Sequence, residues 1–434
     1  MLYADDIVLL ADSPGQLQEM LDATGQYASR WQFRFNTKPG KSDVVVCGSK
    51  QQCSEAMPEF RLGDGVLQVS AEYKYLGVEF GKVGRARWAS YLDRVLVKAK
   101  QAADQLAYSV GGGKPLPVHV ALQLFNSLVR PRMEYAAEIW AAHCSAGTFE
   151  QLDRVQAAFG KRVLRLAWNV SSTYVREELG MPSMRERAMC AMLRFYGHLS
   201  KLPDSRLAGF IFRERCKEVD AGGARLSWCL KAQEKLHEFG STQQWANKAV
   251  PHNWRAMLTV RVRRSVRNAA LEASALKPNM VHFRTAGRLS LPGALDFALL
   301  HPGAMLRVKL RCNALPLSVV VEPAKTTCRL CGGGEVESAA HFVARCPFYA
   351  AERARCLERI SELTPADAHW ALWAAVLRGA PEVFLGDRLL LSLPPGRAKE
   401  VDATVCNFLK VAWRKRQSVW RRWCSDKDGW KLVL

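Results

Sequence analysis

The sequence lacks the features that mark membrane, secreted and repetitive proteins. No apolar run approaches the roughly 18 to 20 residues that a transmembrane helix needs. The first residues, Met1–Leu10, are short and contain Asp5 and Asp6, so they do not form a signal peptide. There is no internal repeat and no low-complexity tract. We therefore predict a multidomain globular protein without a membrane span.

Two features of the composition are a cysteine pattern that does not suit a disulfide scaffold and a shortage of acidic relative to basic residues. The 13 cysteines are odd in number and scattered over 434 residues, which argues against a disulfide scaffold and for a reducing compartment. Lys and Arg number 62 against 41 Asp and Glu, a net charge of +21. Residues 1–82 hold 8 basic and 11 acidic residues, so the excess lies beyond them. This imbalance indicates a polyanionic partner, most simply nucleic acid, with a merely basic protein as the alternative.

Hydrophobic periodicity predicts an α+β segment followed by a mainly helical chain. In the first segment, Ser13 and Pro14 are typical of a helix start, and Gln16 completes a capping-box pattern. The strands predicted there are Phe33–Asn36, Val44–Cys47, Phe60–Leu62, Val66–Val69 and a single strand over Tyr73–Phe80. The predicted helices are Arg87–Tyr108, Val118–Arg130, Met133–Ala142, Thr148–Leu166 and Ser183–Leu199, with others near 225–239, 254–275 and 400–423.

The first group of residues that could have a chemical role is Tyr3-Ala4-Asp5-Asp6, which joins two short apolar runs. Two adjacent carboxylates at a tight turn concentrate negative charge, and Mg²⁺ binds through one or two carboxylates together with substrate phosphates. Taken on its own, the motif favours a solvated Asp-Asp turn, with a magnesium site as the alternative.

The second group has the spacing C-x2-C-x9-H-x4-C, at Cys328, Cys331, His341 and Cys346. Three thiolates and one imidazole suit tetrahedral Zn²⁺, and four protein ligands leave no open position. We predict a structural zinc knuckle, against the alternative of four unrelated buried residues.

Two dense basic segments form the third group. We expect Arg261, Arg263, Arg264 and Arg267 to contact phosphates, with a solvated helix face as the alternative. In residues 413–423, tryptophans alternate with cations. Their indoles either stack on unpaired bases or form the apolar side of a helix, and the sequence leaves both interpretations open.

These motifs, in this order, resemble the C-terminal portion of a non-LTR (LINE-type) retrotransposon reverse transcriptase. Tyr-Ala-Asp-Asp between apolar strands resembles the catalytic palm hairpin of that family, and residues 31–46 resemble its next palm motif. Residues 73–77 resemble its primer-grip hairpin, and the cysteine cluster resembles its zinc-binding segment. The helical region is similar as well, through residues 131–140, 152–164 and 178–187.

The resemblance implies roles for individual residues. Asp5 and Asp6 would be palm carboxylates that bind Mg²⁺ or Mn²⁺, with Asp5 the direct ligand. Lys41 would lie near the pyrophosphate as a proton donor, with a solvated loop lysine as the alternative. The remaining assignments are to the primer: Tyr3 and Ala4 would lie beside its terminus, and Tyr75, Leu76 and Gly77 would pack against its strand.

The resemblance also implies an organisation and a function. The expected segments are the end of the palm (1–84), a helical thumb (85–200), a basic helical region (201–325), the zinc knuckle (326–350) and a basic helical tail (351–434). Palms need a third carboxylate and fingers, which would lie upstream of Met1, so we expect a fragment that is inactive alone. Its partners would be an RNA template and a DNA target or primer, in a nuclear and cytoplasmic ribonucleoprotein. The alternative is a non-catalytic, zinc-stabilised RNA- or DNA-binding protein.

Overall fold

The structure, a computed structural model, confirms the mixed α+β class. It describes residues 2–3, 5–47, 57–81, 88–111, 116–223, 227–275, 302–317, 327–365, 380–386 and 388–425. The chain divides into two compact units. Unit 1 comprises Met1–Val97 and Ala142–Cys144, and unit 2 comprises Lys98–Ala141 and Ser145–Leu434. The predicted division into five segments stays a prediction.

Unit 1 contains two hairpins, one three-stranded sheet and helix α1 (Pro14–Arg30). Its strands are β1 (Leu2–Tyr3), β2 (Asp6–Ile7), β3 (Asp43–Val45), β4 (Phe60–Leu62), β5 (Gly65–Ser70), β6 (Glu72–Tyr75) and β7 (Val78–Gly81). The sheet order is β3-β5-β4, in which β3 and β5 are parallel and β4 and β5 are antiparallel.

The core of unit 1 lies between α1 and this sheet. Leu21 of α1 is buried with Val44, Phe60, Leu62 and Leu67, one apolar residue or pair from each strand. The predicted start of α1 is confirmed, since the Ser13 hydroxyl accepts a hydrogen bond from the Gln16 amide. Burying these side chains, each worth about 1.5–3 kcal/mol, fixes the sheet on the helix.

Two strand predictions in unit 1 are wrong. Phe33–Asn36 is irregular, because the chain leaves α1 through a turn in which Gln32 has a φ of 55°. Tyr73–Phe80 is not one strand but the hairpin β6–β7. Its turn is Leu76-Gly77, where φ is 47° and 78°, as a two-residue turn with positive φ at both positions requires.

After β7 the described chain is mainly helical. The helices are α2 (Ala89–Gly111), α3 (Val118–Leu124), α4 (Arg130–Glu134), α5 (Ala137–Trp140), α6 (Ala146–Val163), α7 (Ser172–Glu178), α8 (Met184–Leu199), α9 (Leu207–Asp220), α10 (Trp228–Glu238), α11 (Thr242–Ala246), α12 (Trp254–Ala275), α13 (Pro302–Arg311), α14 (Ala350–Leu363), α15 (Glu382–Leu385), α16 (Arg388–Leu391) and α17 (Pro395–Ser425).

Two predicted helices are interrupted for identifiable reasons. Val118–Arg130 changes to a π-helical turn over Phe125–Val129, directly before Pro131, whose nitrogen has no hydrogen to donate. Ala136, at a φ of 55°, separates α4 from α5 within the predicted helix Met133–Ala142.

Unit 2 is held together partly by buried ion pairs between distant parts of the chain. Arg311 of α13 donates from Nη1 to Glu178 Oε1 of α7 at 3.1 Å, and both side chains are 0% exposed. The Tyr174 hydroxyl donates to the Val308 carbonyl at 2.8 Å. These contacts attach α7 to α13, which also contributes Leu310 to the core shared with the cysteine cluster.

Candidate functional site

The cysteine cluster is built from a short loop and a helical turn. Thr327 and Val336 form an isolated β-bridge, and the Cys328 amide donates to the Glu335 carbonyl at 2.7 Å. Gly332, at a φ of 63°, lets the chain reverse directly after Cys331. His341 then begins the π-helical turn His341–Arg345, which delivers Cys346 to the same side of the loop.

The four predicted zinc ligands lie together. Their ligand atoms all lie within 4.8 Å of one another. Cys328 Sγ lies 3.9 Å from Cys346 Sγ, and Cys331 Sγ lies 3.5 Å from His341 Nε2. A tetrahedron with Zn–S bonds of about 2.3 Å has edges of roughly 3.8 Å, so these separations fit a single zinc ion. Among the described residues, no other set of three or more His, Cys, Asp or Glu side chains lies close enough together to hold a metal ion.

The electrostatics of the cluster suit a metal as well. The hydrogen bond with the Cys346 thiol lowers the pKa of Cys328 to about 5, which favours a thiolate. The same hydrogen bond raises the pKa of Cys346. A proton shared by neighbouring thiols is what a divalent cation displaces on binding.

Sequence reasoning missed the residue that orients His341. Glu335 Oε2 lies 3.0 Å from His341 Nδ1, on the side of the ring opposite Nε2, which faces Cys331. The hydrogen bond to His341 lowers the pKa of Glu335. A carboxylate on Nδ1 fixes the tautomer that presents Nε2 to a metal. The only signal in the sequence was an acidic residue inside the ligand loop.

Helix α17 packs against the segments that carry the cysteine cluster. Arg416 donates from Nε and Nη2 to the two carboxylate oxygens of Glu337, at 2.8 and 3.0 Å, and both side chains are buried. Lys415 donates to the Phe348 carbonyl and to Glu352. Trp413 packs edge-on against Phe342, with ring centroids 6.2 Å apart. In the described part of 413–423, these residues favour packing over base stacking. The side chains of Trp420, Arg421, Arg422 and Trp423 lie outside the description.

The arginine cluster on α12 is only partly available to phosphates. Arg261 donates to the Gly240 carbonyl and to Ser241, and Arg267 pairs with Glu177 at 2.9 Å. Arg263 lies 3.7 Å from Glu186 but keeps 42% of its side chain exposed. Arg264 is exposed, and it takes part in no ion pair within the described residues. The predicted four-arginine phosphate site stays a prediction, with Arg264 and Arg263 its accessible members.

The hairpin β1–β2 places Asp5 in its turn and Asp6 directly after it, at the start of β2, and both are exposed. Tyr3 pairs with Asp6 across the hairpin, and Ala4 lies outside the described residues. Among the described residues, no third metal-binding side chain joins this pair.

Residue Lys41 lies in the same unit, beside Tyr73. The Tyr73 hydroxyl donates to the Lys41 carbonyl at 2.6 Å. Burial raises the pKa of Tyr73, and the negative charges of Asp43 and Asp6 raise it further. Asp6 and the Lys41 loop therefore approach the same tyrosine. Tyr75, Leu76 and Gly77 form the end of the β6–β7 hairpin that follows it.

Part of this chain is similar, at low identity, to RNA-directed DNA polymerases of non-LTR retrotransposons. The RNA-directed DNA polymerase from mobile element jockey of Drosophila melanogaster is 19% identical over 209 residues, which cover 47% of this chain and 22% of that protein. The retrovirus-related Pol polyprotein from type-2 retrotransposable element R2DM, also of Drosophila melanogaster, is 24% identical over 257 residues, covering 57% of this chain and 23% of that protein. The chain thus spans less than a quarter of these relatives. No family model and no solved structure matches it.

The structure adds one fact about membranes. Across the helices of the described ranges, none combines the length and the apolar character required to cross a bilayer.

Proposed function

We propose that this chain is a C-terminal part of the reverse transcriptase of a non-LTR retrotransposon. The observation that carries the proposal is the β1–β2 hairpin, which exposes two adjacent carboxylates at its turn in a chain similar to RNA-directed DNA polymerases. The whole protein would synthesise DNA on an RNA template, and its nucleic-acid partners would be that template and the DNA primer.

In this proposal Asp5 and Asp6 hold a divalent cation, Mg²⁺ or Mn²⁺. When bound, the cation activates the primer hydroxyl and neutralises charge on the departing pyrophosphate. The exposed turn leaves both carboxylates accessible to phosphate-bound metal. Lys41, exposed on its loop, donates a proton towards the pyrophosphate, and Leu76 and Gly77 contact the primer strand.

The carboxylate pair is incomplete among the described residues, so polymerisation requires a further carboxylate and a nucleotide pocket. We expect no templated incorporation by the 434-residue chain alone. In a protein extended by the upstream reading frame, incorporation should require Mg²⁺ or Mn²⁺. Asp5→Asn should abolish it because an amide cannot replace the ligand charge, while RNA binding persists. Polymerisation by the chain alone, or full activity of extended Asp5→Asn, would refute the proposal.

A second function is favoured by one observation: among the described residues, the cysteine cluster has four ligands whereas no third ligand joins the carboxylate pair. It is a non-catalytic, zinc-stabilised nucleic-acid-binding protein. The two functions differ in the upstream reading frame, which should encode a palm carboxylate if the protein is a polymerase and should end at a nearby stop codon otherwise.

Both functions include a structural zinc ion held by Cys328, Cys331, His341 and Cys346. The freshly reduced protein should contain about one zinc per chain. Cys331→Ser should lower that stoichiometry and increase amide hydrogen exchange in 327–349, whereas Cys190→Ser, a buried cysteine distant in sequence, should leave the zinc content unchanged. Zinc-free protein, or equal zinc in the wild type and Cys331→Ser, would rule out the assignment.

A further inference from the structure

A row of aromatic side chains lies exposed at the C-terminal end of α1. Tyr27 is 58% exposed, Trp31 is 63% exposed and Phe33 is 41% exposed. The Tyr27 ring centroid lies 6.1 Å from that of Trp31 and 6.1 Å from that of Phe33. Large aromatic side chains contribute most of their stabilisation when they are buried. Three adjacent exposed rings therefore indicate a surface that binds a ligand.

The backbone fixes this row in place. The Phe33 amide donates to the Ala28 carbonyl at 3.1 Å, and Gln32 has a φ of 55°. This is the hydrogen-bond pattern of a Schellman helix end, which brings the residue after the turn back against the last helical turn. Phe33 in turn packs edge-on against Phe35 at 5.3 Å, and Phe35 contacts the core of unit 1. The rings are therefore ordered before any ligand binds, which lowers the entropic cost of binding.

The stretch of sequence that contains the row carries charge of a single sign. Between Asp22 and Asp43 the chain holds Arg30, Arg34, Lys38 and Lys41 and no acidic residue. Arg30 and Arg34 flank Trp31 and Phe33, and both are exposed. Neither arginine forms an ion pair with any residue in the described ranges. This concentration of positive charge contrasts with residues 1–82 as a whole, where acidic residues are in excess.

We propose that Tyr27, Trp31 and Phe33 form a stacking platform for single-stranded nucleic acid, with Arg30 and Arg34 on its phosphates. Exposed rings supply surfaces for unpaired bases, and the interleaved cations neutralise the backbone between them. A duplex keeps its bases stacked on one another and offers these rings nothing to stack on. The charge of the surface complements a polyanion, whereas a purely apolar protein contact would not need it. This inference rests on the nucleic-acid binding in the proposed function, but the platform requires neither the carboxylate pair nor the zinc ion, so its failure is distinguishable from theirs.

The platform can be located directly with a single-stranded RNA that contains 5-iodouridine, irradiated in complex with the full chain. We expect adducts within residues 27–33, identified by mass spectrometry. Trp31→Ala should abolish the adducts at this segment and weaken binding of the single strand by about tenfold or more. Trp31→Phe should retain most of the affinity, because a ring remains. Arg34→Gln should lower the salt slope of binding by about one.

The matched control is Trp168→Ala, since Trp168 is also 63% exposed but lies in unit 2 beside Arg162. It should leave the adducts at 27–33 unchanged. Unaltered affinity and adducts in Trp31→Ala, or equal effects of Trp31→Ala on single-stranded and duplex RNA, would overturn the proposal. Self-association of the wild type that Trp31→Ala abolishes, without any adduct at 27–33, would identify the row as a protein interface and would also overturn it.

Discussion

The buried pair between Arg416 and Glu337 predicts that α17 stabilises the cysteine cluster through charge. We expect Arg416→Met to remove the two hydrogen bonds that Arg416 donates to the buried Glu337 carboxylate. The side chains of Arg416 and Glu337 are only 4% and 2% exposed, so water cannot replace the lost donors. Breaking such a pair costs about 3–5 kcal/mol. The double variant Arg416→Met/Glu337→Leu removes both charges and should recover most of this loss.

The measurement is amide hydrogen exchange over 327–349 together with release of zinc to a chromogenic chelator. These local readouts suit a chain of several cooperative units better than a single melting temperature. The matched control is Arg359→Met, which removes exposed ion pairs with Glu362 at 2.6 Å and with Glu400 of α17 at 3.8 Å, where all three side chains are more than half exposed. Exposed pairs contribute about 0–1 kcal/mol. If Arg416→Met costs no more than Arg359→Met, the pair does not support the cluster and our reasoning fails.

Three further predictions rest on single contacts. Glu335→Gln should weaken zinc binding by roughly tenfold, measured by chelator competition, because an amide holds the His341 ring less well; unchanged affinity would contradict this. Arg264→Ala should lower the salt slope of single-stranded RNA binding by about 0.7 in a filter-binding titration, whereas Arg267→Ala, whose partner is Glu177, should leave the slope unchanged and instead lower stability. Leu76→Asn should stabilise unit 1 by about 0.5–1 kcal/mol, since Asn-Gly suits a turn with positive φ at both positions; a lower thermal midpoint would show that the Leu76 side chain contributes more than the backbone strain.

Local patterns made some features predictable. The capped start of α1 and the strand Phe60–Leu62 follow from neighbouring residues, and the structure has both. The cysteine and histidine ligands share a short loop, so their spacing alone indicated that they meet. Helix ends and breaks that depend on a single residue were harder to predict. Gln32 and Ala136 adopt positive φ although neither is glycine.

Contacts over long separations could not be predicted. Arg311 and Glu178 are 133 residues apart, and Arg416 and Glu337 are 79 apart. No periodicity indicates which arginine in a basic chain finds a buried carboxylate. The sequence therefore suggested that dense cations bind phosphate, whereas Arg416, Arg267 and Lys415 have carboxylate partners within the chain.

The position of α17 has a consequence for how the protein is made. The core around Cys328 and Cys346 includes Val405, Phe408 and Leu409, which the ribosome adds only after the whole ligand loop. A nascent chain therefore exposes the cysteine loop before the helix that covers it exists. A premature stop codon before Pro395 would release a product with all four ligands but without their packing. Such a product should be a target for proteolysis and metal loss, so incomplete translation products would be removed.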